Sequence, residues 1–367
     1  MQFKHKVKSK YNPTFRTQKV AGMYDTSPGE YIENEWDVDF PIEDKEWQIG
    51  LIVGASGAGK TTLSKVIFGD DNYHEGFEWN RDRSLLDDFK KGLSVDDIVK
   101  ALSHVGFNSS PAWSLPYAHL SNGQKFRTEM ARLILEHDSD APIVVDEFTS
   151  VVDRQVAKAT SHAVQKYVRK GDKKFVAVSC HSDIKDWLCP DWILTVAPGQ
   201  CTFEYTRGLL RRPEIKLNVQ RVHYSAWELF KGHHYLDATV HRSSHCYVAT
   251  WEGEPVAFCA AIKQPHAQSK NLWRSHRTVV LPDYQGIGVG GAINEAVAEI
   301  YFQQGMKFTG VASHPAMIAY RNKSPKWKLI RAPSMGVQRG ENSKVTGQAI
   351  GRLTASHVYV GEPKDDS

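Results

Sequence analysis

Ile49-Gly50-Leu51-Ile52-Val53 runs directly into Gly54-Ala55-Ser56-Gly57-Ala58-Gly59-Lys60-Thr61, and a regular apolar spacing then continues to Phe68. The short apolar run predicts a buried strand, and Thr61 to Phe68 predicts a helix. Between them the spacing G-x-x-x-x-G-K-[ST] sits in the strand-to-helix context that a phosphate loop needs. Bare backbone at Gly54, Gly57 and Gly59 lets N–H groups turn inward around a phosphate. Ser56 and Thr62 complete the cradle, Lys60 neutralises phosphate charge, and Thr61 offers a hydroxyl to Mg²⁺. A chance glycine turn would not explain the flanking elements.

Working outward, Pro142-Ile143-Val144-Val145 and Phe175-Val176-Ala177-Val178 predict two more buried strands, with a helix from Arg154 to Arg169 between them. Strand, helix, strand predicts a parallel sheet and an α/β fold. Asp146 and Glu147 end the second strand. Such acids are commonly solvated caps, but beside a phosphate loop Asp146 is placed to hold Mg²⁺ through water and Glu147 to polarise an attacking water.

Leu120-Ser121-Asn122-Gly123-Gln124 resembles the LSGGQ signature of ABC-type ATPases, Ser150-Val151-Val152-Asp153 resembles their D-loop, and His181 resembles their switch histidine. The resemblance implies ATP and Mg²⁺ as ligands. It also implies a head-to-tail homodimer, in which Ser121, Gly123 and Gln124 of one subunit cap the nucleotide held by the other. Asp153 and His181 take the D-loop and γ-phosphate roles. Two departures stand out. No glutamine occurs between Lys60 and Gln124, so the Q-loop residue has no counterpart. The stretch from Lys60 to Ser121 is also shorter than in transporter subunits, which points away from transport. Tyr31 and Trp36 are candidates for stacking on adenine, and equally for core packing.

In the second half, Thr278-Val279-Val280-Leu281-Pro282 predicts a strand and Ala292 to Phe302 a helix. Between them, Gln285-Gly286-Ile287-Gly288-Val289-Gly290 fits the Q/R-x-x-G-x-G/A turn of GNAT-type N-acetyltransferases, which this half resembles. That implies acetyl-CoA, or another acyl-CoA, bound by Val280, Gln285, Gly286, Gly288 and Gly290 at a helix N-terminus. A dinucleotide turn is the rival, but it would come at the first strand of its domain with an acid about 20 residues on. A strand from Phe308 to Ser313 and a helix from His314 to Asn322 carry Tyr320, whose counterpart in this family protonates the departing thiolate; packing is the competing role. For a general base, Glu228, Asp237, Glu252 and several histidines are available, with His233-His234-Tyr235 the densest group and His234 the choice. This His-Tyr element also resembles phage Mom-type DNA-modification proteins, which are GNAT-like and act on a nucleobase. Arg321, Lys323, Lys326, Lys328 and Arg331, interleaved with Trp327, suit phosphate contact and base stacking, or equally a solvated cationic edge around one packed tryptophan.

The chain has 367 residues, 41% hydrophobic and 24% charged, which fits two folded domains and excludes wholesale disorder. No apolar run reaches the roughly 18 residues of a membrane span, and the basic start lacks a signal-peptide core. A cytoplasmic protein without membrane association is expected. Five widely spaced cysteines argue against a disulfide framework. Residues 206–367 carry 21 Lys and Arg against 12 Asp and Glu, a net +9, whereas residues 1–205 carry a net −5. The expected organisation is a basic N-terminal arm (1–20), an ABC-type P-loop ATPase domain (21–205) and a GNAT-like α/β domain (206–367). The leading reading is an ATP-hydrolysing acyltransferase that modifies an amine on nucleic acid, RNA or DNA, with the ATPase as a dimeric clamp. The alternatives make the second half a nucleic-acid-binding or non-acetyl base-modifying module, or an acetyltransferase for a protein or small-molecule amine.

Overall fold

The computed structural model describes residues 1–10, 12–25, 31–234, 239–265, 271–335 and 353–362. The chain divides into two units. Unit 1 comprises Met1–Arg81, Asp88–Val105 and Leu120–Pro213; unit 2 comprises Asp82–Asp87, Gly106–His119 and Glu214–Ser367. The expected cut after residue 205 thus falls eight residues later, and two stretches read as part of the ATPase fold with unit 2 instead. Those stretches hold each other, the Leu85 N–H donating to Leu115 O at 2.9 Å.

Among the described residues, unit 1 builds a sheet from β1 (Gln2–Lys10), β2 (Tyr31–Asp39), β3 (Ile49–Val53), β4 (Tyr73–His74), β5 (Ile143–Val145), β6 (Phe175–Ser179), β7 (Trp192–Ala197) and β8 (Gly199–Tyr205). Its order is β1-β2-β8-β7-β3-β6-β5-β4. Strands β3, β5 and β6 are parallel, with Val53 opposite Ser179 and Val145 opposite Ala177. Their carboxyl ends therefore share one edge, where α/β sheets place ligands. The helices are α1 (Phe15–Met23), α2 (Lys60–Phe68), α3 (Val95–His104), α4 (Ser110–Trp113), α5 (Asn122–Glu136), α6 (Arg154–Val168) and α7 (Lys185–Leu188). Of these, α4 lies within a stretch that belongs to unit 2. Phe40, Ile52, Leu63, Val144, Val178 and Trp192 form the core of unit 1.

The basic arm expected at residues 1–20 is not a free tail. Residues 2–10 are the edge strand β1, paired antiparallel with β2. Phe3 and Val7 pack against the core, while Lys6 and Lys8 reach Glu33 at 2.7 and 2.6 Å. Period-two alternation, apolar inward and Lys outward, is the strand signal that a count of charges passed over.

In unit 2 the strands are β9 (Asn218–Val222), β10 (His245–Trp251), β11 (Glu254–Lys263), β12 (Leu272–Val280), β13 (Lys307–Ala312), β14 (Trp327–Met335) and β15 (Leu353–Tyr359). Helix α8 (Val289–Gln303) follows β12, and α9 (Pro315–Lys323) follows β13. The order is β14-β15-β13-β12-β11-β10-β9. Strands β12 and β13 are parallel, but their pairing covers only Leu272↔Lys307 to Arg274↔Thr309. Beyond Arg274 the strands fork, so among the described residues nothing pairs with the edge of β12 from Ser275 to Val280 on that side. Five residue steps at about 3.3 Å make this open edge about 16 Å long. Trp227, Phe230, Phe258 and Val279 form a core cluster against β10 and β11. Among the described residues, no helix is long and apolar enough to cross a membrane, and all five cysteines are free.

Candidate functional site

Helix α2 starts at Gly59, whose φ of +96° is left-handed and which provides no side-chain cap. The first N–H groups of the helix are therefore open to an anion. Lys60 is buried and its Nζ donates to Ala55 O at 2.9 Å, folding the amine over the loop. The Thr61 hydroxyl donates to Asp146 Oδ2 at 2.7 Å, which brings the two expected Mg²⁺ ligands together. One hydroxyl and one carboxylate leave the remaining octahedral positions for phosphate and water, as Mg²⁺ at nucleotides requires.

Glu147 is exposed with φ of +48°, and Thr149 has φ of +67°. Non-glycine residues hold such conformations only where their surroundings impose them. Here the Phe148 N–H donates to Val178 O (2.9 Å) and Ser179 Oγ donates to Phe148 O (3.0 Å), fastening the turn to β6. The Ser150 hydroxyl donates to Glu147 Oε2 at 2.6 Å and fixes the carboxylate. His181 is half-buried just beyond β6, its N–H donating to Ser179 Oγ at 3.1 Å. The parallel strands thus carry Gly54, Asp146, Glu147 and His181 to the same edge.

Ser121 is the N-cap of the fifteen-residue α5. Its Oγ accepts from the Gln124 N–H (3.3 Å), and Gln124 Oε1 accepts from the Ser121 N–H (3.1 Å), so Gln124 is taken up by a capping box. Asp153 caps α6, its Oδ1 accepting from the N–H groups of Gln155 and Val156 at 3.0 Å each. Trp36 does not stand free to stack on adenine. It is 5% exposed, and its indole N–H donates to Ala58 O at 2.9 Å, so the ring is the floor beneath the phosphate loop. The side chain of Tyr31 lies outside the described residues.

The sheet adds one residue that sequence reasoning missed. Tyr73 lies opposite Val144 on β4, and its Oη is 3.2 Å from Ser64 Oγ in the first turns of α2. Burial, with the Asp146 carboxylate adding to it, pushes the pKa of this phenol up. A two-residue strand has no sequence period from which it could be read.

In unit 2, α8 repeats the entry of α2. Its N-cap Gly288 has φ of +94° and no side-chain cap. Gln285 is fully engaged, its Nε2 donating to Val280 O at 3.0 Å and its Oε1 accepting from the Asn108 N–H at 3.0 Å. Of the expected coenzyme contacts, the Gln285 side chain and the Val280 carbonyl are therefore committed to shaping the turn, whereas Gly286, Gly288 and Gly290 are its backbone. The Tyr320 ring lies over Gly291, where an added Cβ would come within 2.6 Å of it. Burial and the nearby Glu295 carboxylate push its pKa up, so the phenol keeps its proton at neutral pH.

His234 is half-buried, its ring 5.7 Å from that of Trp227. Tyr235 and Asp237, considered beside it as a base, lie outside the described residues. The second missed residue is His276. The β11–β12 register shifts between Ala260 and Ala261, leaving His276 as the extra residue of a bulge. Burial first, then the charges of Arg277, Arg274, His241 and His234, hold its pKa down to about 4, which keeps the ring neutral at physiological pH.

The basic strip behaves differently from its reading. Arg321 and Trp327 are 2% and 6% exposed, and the guanidinium stacks on the indole at 4.5 Å. Lys326 pairs with Glu295 at 3.8 Å and also with Glu362. Only Lys323, Lys328 and Arg331 of that strip are exposed. The burial of Trp327 matches the packed-tryptophan alternative, whereas the burial of Arg321, where a helix and a strand meet, is what linear interleaving does not register.

Comparison with known proteins agrees with both halves. Residues 212–322 match the family model described as Acetyltransferase (GNAT) family. A 184-residue stretch is 29% identical to the cytochrome c biogenesis ATP-binding export protein CcmA of Alcanivorax borkumensis, covering 44% of this chain and 80% of the relative. The methionine import ATP-binding protein MetN of Clostridium tetani is 24% identical over 214 residues, covering 48% of this chain and 66% of the relative. Among solved structures, a dimeric post-hydrolysis state of the ATP-binding cassette MJ0796 with ADP and Pi aligns at 16% identity and a TM-score of 0.38, covering 50% of this chain and 95% of that one. An IAA acetyltransferase from Bacillus cereus aligns at 15% identity and a TM-score of 0.29, covering 39% of this chain and 99% of that one. Residues 212–322 thus match the GNAT acetyltransferase family model, and the chain is also similar to ABC-type ATP-binding proteins, which makes it an enzyme that combines an ATPase-like part with an acetyltransferase-like part.

Proposed function

We propose that unit 1 hydrolyses ATP with Mg²⁺ as a head-to-tail homodimer, and that unit 2 transfers an acyl group from coenzyme A to an amine on nucleic acid. The observation that carries this reading is the matched entry of α2 and α8. Each begins at a left-handed glycine without a side-chain cap, which leaves N–H groups for phosphate oxygens. The residues present fit both ligands. Lys60, Thr61 and Asp146 would hold a Mg²⁺-bound triphosphate, and Gly286 to Gly290 a pyrophosphate, with the open edge of β12 receiving an extended thioester arm.

When bound, the thioester supplies an activated acyl carbon and the nucleotide a hydrolysable phosphoanhydride. The chain supplies the proton movements. Ser150 occupies Glu147 Oε2, so Oε1 is the atom that takes a proton from water. The neutral imidazole of His276, with His234 nearby, is placed to accept a proton from an amine, and the Tyr320 phenol to donate one to the thiolate. The net +9 of residues 206–367, with exposed Lys323, Lys328 and Arg331, supports a polyanionic acceptor.

The test uses the full chain with Mg²⁺-ATP, a panel of radiolabelled acyl-CoA thioesters that includes acetyl-CoA, and RNA, DNA or protein acceptors, across a salt series. Label in nucleic acid that falls off steeply with salt supports the reading. Label in protein alone, or binding of coenzyme A without transfer to any acceptor, overturns the nucleic-acid part.

A further inference from the structure

The side chain of Arg321 is 2% exposed, yet among the described residues only one of its nitrogens has a partner: Nη2 donates to Asn294 Oδ1 at 3.2 Å. Nε and Nη1 have no hydrogen-bond partner, and no ion pair is formed with any described residue. A buried charge of this kind costs several kcal/mol unless something compensates it, and the face of Trp327 satisfies none of the N–H groups. Its position is specific. The guanidinium lies flat on Gly310, where an added Cβ would sit 2.3 Å from Nη1. Gly310 is the first residue of β13 past Thr309, the last to pair with β12, so the charge lies at the fork of the sheet.

The same guanidinium is wired to the glycine turn. Asn294 Nδ2 donates to Gly290 O (3.1 Å) and to Thr278 Oγ1 (2.9 Å), while its Oδ1 receives Arg321. Thr278 Oγ1 lies 3.3 Å from Ser275 Oγ, at the start of the open edge. Across the ladder from Gly310 stands His357, fully buried with Nδ1 unpartnered, a further polar atom without an answer beside the fork. An extended ligand with its phosphates at Gly286 to Gly290 and its arm along β12 ends at Ser275, Gly310 and Arg321.

We infer that Arg321 reads the acyl group, and that the thioester used by unit 2 is one whose acyl chain ends in a carboxylate, of the malonyl or succinyl class, in preference to plain acetyl. A planar guanidinium with two unsatisfied nitrogens matches a carboxylate in paired hydrogen bonds, and an acetyl methyl offers it nothing. This inference rests on the acyl-coenzyme A reading above and specifies its substrate.

The test is titration calorimetry of the full chain with free coenzyme A, acetyl-CoA, malonyl-CoA and succinyl-CoA, repeated on Arg321→Lys, which keeps the charge but not the paired geometry. One of the two acidic thioesters should bind the native chain about tenfold or more tighter than acetyl-CoA, and the ratio should fall to within about threefold in Arg321→Lys. Equal affinity of the native chain for acetyl-CoA and both acidic thioesters overturns the inference, and that measurement holds even if the variant does not fold. A folded Arg321→Lys that keeps the preference also overturns it. Failure of every coenzyme A compound to bind overturns the acyl-coenzyme A reading itself.

Discussion

The main-chain N–H of Asn108 donates to Gln285 Oε1 at 3.0 Å, and both residues belong to unit 2 although 177 positions separate them in sequence. Asn108 comes from the stretch between α3 and α5, and Gln285 opens the glycine turn that leads into α8. Gly106 packs alongside, an added Cβ there coming within 2.6 Å of Gln285 O. Changing Gln285 to Met removes both of its bonds at similar size. Unit 2 should lose about 1–2 kcal/mol in urea unfolding, since a part-buried N–H is left unpaired, and coenzyme A should bind several-fold more weakly by calorimetry.

At the phosphate loop, Lys60→Ala should abolish ATP binding. Glu147→Gln should keep binding but lower hydrolysis by about 10²–10⁴-fold, and should accumulate an ATP-dependent dimer seen by light scattering. A Glu147→Gln chain that stays monomeric with ATP removes the clamp from the mechanism.

Trp36→Phe separates floor from stacker. Losing the indole N–H bond to Ala58 O should cost about 1 kcal/mol of stability and weaken ATP and GTP binding alike. A loss confined to one base, measured by competition with both nucleotides, would place the ring on the nucleobase after all.

His276 sets a pH dependence. Its folded pKa of about 4 lies below the ordinary histidine value of about 6.5, so the folded ring resists protonation. Its contribution is whole above about pH 6.5 and is lost as pH falls toward 4. His276→Gln should therefore flatten the decline of unit 2 stability across that window by about 2 kcal/mol, read from urea midpoints at successive pH values.

Tyr320→Phe should reduce the acyl-transfer kcat by about 10–100-fold with little change in KM for the thioester. An unchanged rate would assign the ring to packing over Gly291 alone.

Much of this protein was legible in its sequence because the informative stretches are local. Val53 to Thr61 and Val280 to Gly290 are strand, turn and helix start in continuous order, and backbone chemistry at glycine leaves little choice. The candidate ATP site was equally readable at Asp146, Glu147 and His181, each at the end of an apolar run. Contacts between distant residues did not show. Tyr73 reaches Ser64 from a strand too short to have a period, and His276 sits in a bulge that exists only once β11 is aligned. Arg321 looked like surface because its alternation with the lysines follows neither a helix nor a strand, α9 ending and β14 beginning within the strip; only Trp327 had packing as one of its readings. The expected arm at residues 1–20 failed for the opposite reason, since its alternation was visible but its acidic partner strand lay more than twenty residues away.

Unit 2 is assembled from three separate lengths of chain, and no single cut can release it whole. A fragment beginning near residue 206 or 214 would lack residues 82–87 and 106–119, and with them the neighbour that braces Gln285. Such a truncation would misreport coenzyme affinity as a property of the fold when it reflects missing material. Activities of this protein are thus best dissected by point changes in the intact polypeptide, and genetic rearrangements that swap its carboxyl-terminal half should have to carry the earlier stretches with them.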